Sequence, residues 1–207
     1  MNTQSAQKTV LPPHKFNESI LVIKKDLLFP DGAWNGIKQV DFTHYLDLIK
    51  KHQEFMSRGL AEENYDYKQV IPYLVFRHND RYFLMQRKGS SSEQRLANKY
   101  SLGIGGHLRQ EDIQSSDIFA WAQREFEEEV AYNGTLTITP LGILNLKDTP
   151  VDQVHVGLVL LLEGNSPDIS IKSELQSGEL VSLEICKQMN LENWSAQVVA
   201  YLEKTRI

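Results

Sequence analysis

The pattern of apolar and polar positions along the chain predicts an α+β protein. Residues 19–23 (Ser-Ile-Leu-Val-Ile) read as a short strand ended by Lys24 and Lys25, and Leu27, Leu28 and Phe29 as an apolar patch closed by the turn at Pro30-Asp31-Gly32. Phe42, Tyr45, Leu46, Ile49 and Met56 recur at helical spacing. They predict one helix over residues 41–58, capped by Asp41 and stopped by Gly59. Residues 70–76 and 82–86 are β-branched and aromatic runs joined by His78-Asn79-Asp80-Arg81, which is a hairpin signature. Residues 136–146 and 154–162 are two more strands. The second is nearly all apolar, which predicts a central strand buried on both faces. Residues 179–182 form a last short strand. Residues 183–189 and 194–203 are helical, the latter with Trp194, Val198, Tyr201 and Leu202 on one face.

One further helix departs from ordinary patterning. In Arg124-Glu125-Phe126-Glu127-Glu128-Glu129-Val130, with Ala122 at the centre of a face, Phe119, Phe126 and Val130 fall on the same side and Ile118 at its margin. Glu129 lies inside this apolar arc, Glu125 at its edge and Glu128 beside Glu125. Three carboxylates at i, i+3 and i+4 therefore share one flank of a helix whose other flank is core. Each like-charge pair costs a few tenths of a kcal/mol on an exposed helix, and on the order of a few kcal/mol when half-buried at an effective dielectric near ~20. Protons or cations must relieve that repulsion. Mg²⁺ suits one or two carboxylates together with substrate phosphates. A solvated acidic face is the plain alternative; the placement of Glu129 and the glycine run upstream argue against it. Asp117 can cap the helix, with Ser115 and Ser116 as alternatives. Arg124 can pair with Glu128, Glu127 points to solvent, and Asn133-Gly134 ends the helix in a turn.

The glycine run is Gly103-Ile104-Gly105-Gly106-His107. Glycine permits positive φ and close approach of the backbone to a ligand. A dinucleotide fingerprint does not fit, because no third glycine opens a helix at the required offset. His107 is either a donor to substrate or a satisfied structural histidine, and His155 either a buried neutral ring or a pocket wall. Arg87, at the end of the hairpin's second strand, can offer phosphate a bidentate donor. Arg95, after the Ser-rich stretch from Gly89 to Glu93, can face phosphate or pair with Glu93. Glu62 and Glu63 read as solvated linker charges, with contact to the pocket as the alternative.

Composition narrows the classes. A chain of 207 residues with 41% apolar residues can bury a full core. The net charge of −5 argues against a nucleic-acid polymer as partner and leaves room for a small phosphorylated substrate. The single Cys186 excludes an intramolecular disulfide and a Cys-rich zinc site, and reads as a core thiol. No leader and no membrane-length apolar run stands out, so the expectation is a soluble cytoplasmic protein with no membrane contact.

The residues from Gly105 to Ala131 resemble the box of the Nudix hydrolase superfamily: Gly, five residues, Glu, seven residues, Arg-Glu, an apolar residue, any residue, Glu-Glu, any residue, Gly, an apolar residue. Arg124-Glu125, Phe126 and Glu128-Glu129 supply the helical half. Ala131 replaces the last Gly. The first acidic position is Asp112 counted from Gly106, or Glu111 counted from Gly105. The gap from Asp112 to Arg124 is eleven residues instead of seven. The resemblance spans residues 67–205 and is nearest to a MutT-like subgroup of predicted phosphoesterases.

It implies a Nudix-type α/β/α sandwich around a mixed sheet, with the box helix and the final helix on opposite sides. Residues 67–207 would be the Nudix domain and residues 1–66 an extension packed on or beside it, compatible with a homodimer. It implies a pyrophosphohydrolase using Mg²⁺ or Mn²⁺ held by Glu125, Glu128, Glu129 and the Gly105 carbonyl. Glu125, Glu128 and Arg124 would be the catalytic residues, with Arg87, Arg95, Gly106 and His107 toward the substrate. A further base would come from Asp152, Glu174 or Glu179. Two other readings are a ligand-sensing module without hydrolysis and an isoprenyl diphosphate isomerase. The isomerase would need a cysteine near the glycine run.

Overall fold

The computed structural model describes residues 13–87, 99–115, 117–172 and 175–206. The chain begins α1 (Pro13–Phe16), β1 (Ser19–Lys24), α2 (Lys25–Leu28), β2 (Gly36–Lys38), α3 (Phe42–His52), β3 (Glu54–Ser57), α4 (Arg58–Ala61), β4 (Tyr67–His78) and β5 (Arg81–Arg87). It continues β6 (Tyr100–Ser101), β7 (Gly103–Gly105), α5 (Gln110–Ser115), α6 (Ile118–Glu129), β8 (Val130–Tyr132), β9 (Leu136–Asn145) and α7 (Pro150–Val154). It closes β10 (His155–Gly164), β11 (Ile169–Ile171), β12 (Leu175–Ser182), α8 (Leu183–Gln188) and α9 (Asn193–Thr205). No helix among the described residues is long and apolar enough to cross a membrane.

The fold is α+β. Its mixed sheet runs β12-β5-β4-β10-β9-β2, with β1 and β7 also on β4, β3 on β1 and β6 on β5. The parallel pair β4–β10 is its spine, in register from His155 opposite Gln69 to Glu163 opposite Arg77. Side chains alternate across these strands. Leu74, Phe76, Leu158 and Leu160 pack with Trp121, Ala122 and Phe126 of α6. Tyr73, Val75, Val159 and Leu161 pack with Cys186, Val198, Val199 and Leu202 of α8 and α9. The box helix and the last helix thus cover opposite faces. Pro72 has no N–H to give a ladder. It lies between the stretch of β4 paired with β1, ending at Gln69, and the stretch paired with β7, starting at Tyr73.

Two helix boundaries differ from the sequence expectation. The helix expected over residues 41–58 is α3, capped by Asp41 accepting from the His44 N–H, and it stops at His52. Met56 sits in β3 opposite Ile20. Helical spacing continues past His52, but pairing with β1 outweighs the local propensity. Gly59 is inside α4 and is not a stop. The turn expected at Asn133-Gly134 does not end α6 either. The chain turns extended at Val130, and β8 pairs with β11.

The glycine strand is anchored from the α9 side by a buried polar network. The Ser101 hydroxyl donates to Glu192, the Leu102 N–H to Ser195 Oγ at 2.9 Å, and the Tyr73 hydroxyl meets Ser195 Oγ at 2.8 Å and Glu192 at 3.3 Å. Removing Glu192 leaves buried hydroxyls without their acceptor. Glu192→Ala is expected to cost roughly 2–3 kcal/mol in urea unfolding, whereas Glu203→Ala, at an exposed ion pair with Lys187, should cost less than ~1 kcal/mol.

Candidate active site

The site is built where α6 crosses the end of the glycine strand. Asp117 caps α6, accepting from the N–H groups of Phe119 and Ala120 at 2.9 Å each. Trp121, Ala122 and Phe126 are buried, while Ile118 and Phe119 are only half-buried, so the helix is turned toward Trp121. Trp121 lies one turn before Glu125, on the same flank, outside the apolar arc that periodicity predicts. A Cβ placed on Gly106 would collide with the Glu125 carboxylate and stand 3.5 Å from the Trp121 ring. Gly106 is therefore needed for space, not for positive φ, since the positive-φ glycines of the described residues are Gly32, Gly36 and Gly142. Gly103 is needed in the same way, over the Tyr73 ring.

Set against Gly106, the Glu125 carboxyl is pushed up from 4.5 to about 7, by burial first and then by the charges of Glu128, Glu129 and Asp112. Glu129 is half-buried and Glu128 exposed; Glu127 is exposed and accepts from Gln123. Arg124 lies 3.8 Å from Glu128 along the helix and donates to Asp112 at 2.9 Å. Gly105, opposite Tyr73, is exposed beside this cluster. The donor set is entirely oxygen, which fits a hard divalent ion.

The two candidates for the first acidic position differ in their surroundings. Asp112 is buried and takes hydrogen bonds from the Arg109 N–H at 3.0 Å, Arg109 Nε at 3.1 Å and Arg124. Burial raises its pKa, but the Arg109 hydrogen bonds and the charges of Arg109 and Arg124 outweigh burial and hold the carboxyl below its usual range. Glu111 is 67% exposed. The long gap before α6 is taken up by the short helix α5, which starts at Gln110.

The other candidates are dispersed. Arg87 ends β5; Arg95 and Glu174 lie outside the described residues. Glu179 is exposed on β12. Asp152 is buried as the acidic member of the α7 capping box, accepting from Thr149 N–H and Oγ1 and from Asn193. His107 turns inward, its Nε2 2.7 Å from Gln69 Oε1 and 3.4 Å from His155 Nε2. Burial, then the charges of Arg58, His155 and Lys15, hold its pKa well below the usual value. Glu62 is not a solvated linker charge: its carboxylate lies 3.9 Å from His155 Nε2. Nothing local in the sequence signals that approach.

No protein-family profile matches the chain. Protein YmaB of Bacillus subtilis (strain 168) is 33% identical over 207 aligned residues, covering 91% of this chain and 99% of that protein. The crystal structure of Tm1382, described as a candidate Nudix hydrolase, matches with a TM-score of 0.77 at 31% identity, over 91% of this chain and 100% of that one. The chain belongs to the Nudix hydrolase family. The Nudix domain of Shewanella oneidensis NrtR, crystallised with ADP ribose, shares the fold at 14% identity and a TM-score of 0.55, over 73% of this chain and all of that one. Asp112 faces Arg124, and Ala131 lies in β8.

Two outcomes follow for this Nudix box. Asp112→Ala should destabilise the fold by about 2–4 kcal/mol, because it leaves Arg109 and Arg124 without their shared acceptor, while Glu111→Ala stays within ~0.5 kcal/mol; chemical denaturation distinguishes them. The second outcome concerns pH. Below about 4.5 Glu125 is protonated whether the chain is folded or unfolded. Between 4.5 and about 7 only the unfolded chain releases the proton. The stability of the metal-free protein should therefore fall as pH rises through that window and level off above it, by roughly 2–3 kcal/mol at most. Glu125→Gln should remove that fall in a melting series, leaving any opposing rise from His107, whose pKa is held low by burial.

Proposed function

We propose that the protein hydrolyses a phosphoanhydride bond in a nucleoside diphosphate linked to another moiety, with Mg²⁺ or Mn²⁺ held by Glu125, Glu128, Glu129 and the Gly105 carbonyl. The observation that carries this reading is the Glu125 carboxylate, half-buried against Gly106 with two more carboxylates on its flank. A cation relieves that repulsion. The metal would supply positive charge against the diphosphate oxygens and Lewis-acid activation of the attacking water.

The chain's own groups do the rest. Glu125 or Glu128 takes the water's proton. Arg124 is a positioning residue, bridging Asp112 and Glu128 so that the carboxylate flank keeps its orientation. Arg87, Arg95 and the backbone at Gly106 are the proposed contacts to the substrate phosphates. A sensor without hydrolysis has no use for so repulsive a cluster. Isomerase chemistry lacks its thiol: Cys186 is buried in α8, in the core on the other face of the sheet from α6, and burial pushes it up to about 11.

The test is phosphate release from nucleoside triphosphates, dinucleoside polyphosphates, nucleotide sugars, dinucleotide cofactors and ADP-ribose, the last because it occupies a fold neighbour. Turnover should need Mg²⁺ or Mn²⁺ and vanish with chelator. Glu129→Gln should lower kcat by about 100-fold or more with the melting temperature unchanged. Near-normal turnover in that variant would remove Glu129 from the site, and silence across the panel with Mg²⁺ binding retained would favour the sensor.

A further inference from the structure

A second cluster of ligating side chains lies next to the Nudix box and is not used by the proposed hydrolysis. Glu62 at the end of α4, His107 after the glycine strand and His155 at the start of β10 bring a carboxylate oxygen and two imidazole nitrogens within 4.8 Å of one another. The Nε2 atoms of His107 and His155 are 3.4 Å apart, and His155 Nε2 is 3.9 Å from Glu62 Oε1. Two ligands each ~2.0–2.1 Å from a tetrahedral ion stand about 3.4 Å apart. The histidine pair already has that separation. Glu62, on a short helix of the N-terminal segment, needs only a side-chain adjustment to close the third edge.

The surroundings prepare the donors. His155 Nδ1 faces the Val151 carbonyl at 2.8 Å, so Nδ1 carries the hydrogen and a neutral ring presents its Nε2 lone pair to the cluster. A carbonyl holding the far nitrogen is the usual support of a metal-ligating histidine. Gln69, 1% exposed, places Oε1 beside His107 as a further oxygen donor, and its amide nitrogen has no hydrogen-bond partner. Arg58 lies 3.5 Å from Glu18 and 3.9 Å from Glu62, and Lys68 donates to the Asp152 and His155 carbonyls.

We propose that Glu62, His107 and His155 bind a borderline-soft divalent first-row ion of the Zn²⁺ class, at a site separate from the box carboxylates, and that the ion ties the N-terminal segment to the Nudix sheet. Two nitrogens and one carboxylate select such an ion over Mg²⁺, which takes oxygen donors. The three ligands come from α4, the strand end after β7, and the α7–β10 junction, so one ion joins elements far apart in sequence. In the metal-free protein His107 Nε2 faces the Gln69 carboxamide oxygen at 2.7 Å, and for that nitrogen to bind the ion its hydrogen must move to Nδ1 or leave.

Chelator-treated full-length protein is titrated with Co²⁺, with visible absorption as the readout. The expected result is an intense tetrahedral Co²⁺ band that saturates at a single equivalent, is displaced by Zn²⁺ and resists millimolar Mg²⁺. Glu62→Gln and His155→Gln should each weaken Co²⁺ binding about 100-fold or more, while Glu128→Gln keeps it. Far-UV circular dichroism checks the folding of each variant, and Zn²⁺ should raise the melting temperature of the wild type but not of Glu62→Gln. No band in the wild-type protein would overturn the proposal and leave a hydrogen-bonded histidine pair. A band lost in Glu128→Gln, whether or not the other variants keep it, would overturn it too, by placing the ion on the box.

Discussion

The stacking of Phe126 on Phe76, with ring centroids 5.5 Å apart and planes 14° from parallel, fixes the box helix on the sheet. Tyr132 closes edge-on against both rings. Such contacts contribute about 0.5–1.5 kcal/mol each beyond their buried area. Their larger effect is positional. With Phe126 pinned near the C-terminal end of β4, Glu125 faces the glycine strand. Glu125 is pushed against Gly106 because the aromatic residue beside it is held down. The cost of a half-buried, repelled carboxylate is thus met by ordinary core packing one residue away, and the strain is confined to the place where a cation would relieve it.

Much of this arrangement was legible in the sequence. The carboxylate flank follows from a 3.6-residue period, the hairpin from two β-branched runs around His78-Asn79-Asp80-Arg81, and the central position of β10 from its unbroken apolar run. What periodicity could not supply was the outcome of long-range competition. Residues 54–57 have helical spacing, yet they extend because β1 offers them a ladder. Trp121 falls outside the apolar arc on a helical wheel, on the carboxylate flank, yet it is buried in the core cluster with Ala122 and Phe126. The choice between Asp112 and Glu111 depends on where two arginines converge, and spacing left it open. The approach of Glu62 to His155 joins segments separated by most of the domain, so no local pattern carries it.

The N-terminal segment is woven into the sheet. Its β1 pairs with the first part of β4 and its β2 with β9. Leu21, Ile23, Leu28 and Ile49 belong to the same buried cluster as Phe126. Segment and box helix therefore share one core, and the segment's α4 delivers Glu62 to the edge of the site. The α7 capping box plays a similar part on the other side: it fixes the turn from which His155 enters β10, and its Val151 carbonyl sets the orientation of that ring.

Strand β4 shares one of its edges among β1, β7 and β5, and that division bears on how the chain could be shortened by proteolysis. Loss of the segment before Lys25 would remove the β1 partners of Tyr67, Lys68 and Gln69, on the strand next to the most apolar one in the sheet. An open row of backbone groups is a template for pairing with another chain. The first segment of the chain thus closes an edge of β4 that would otherwise be open to another chain, a role independent of catalysis.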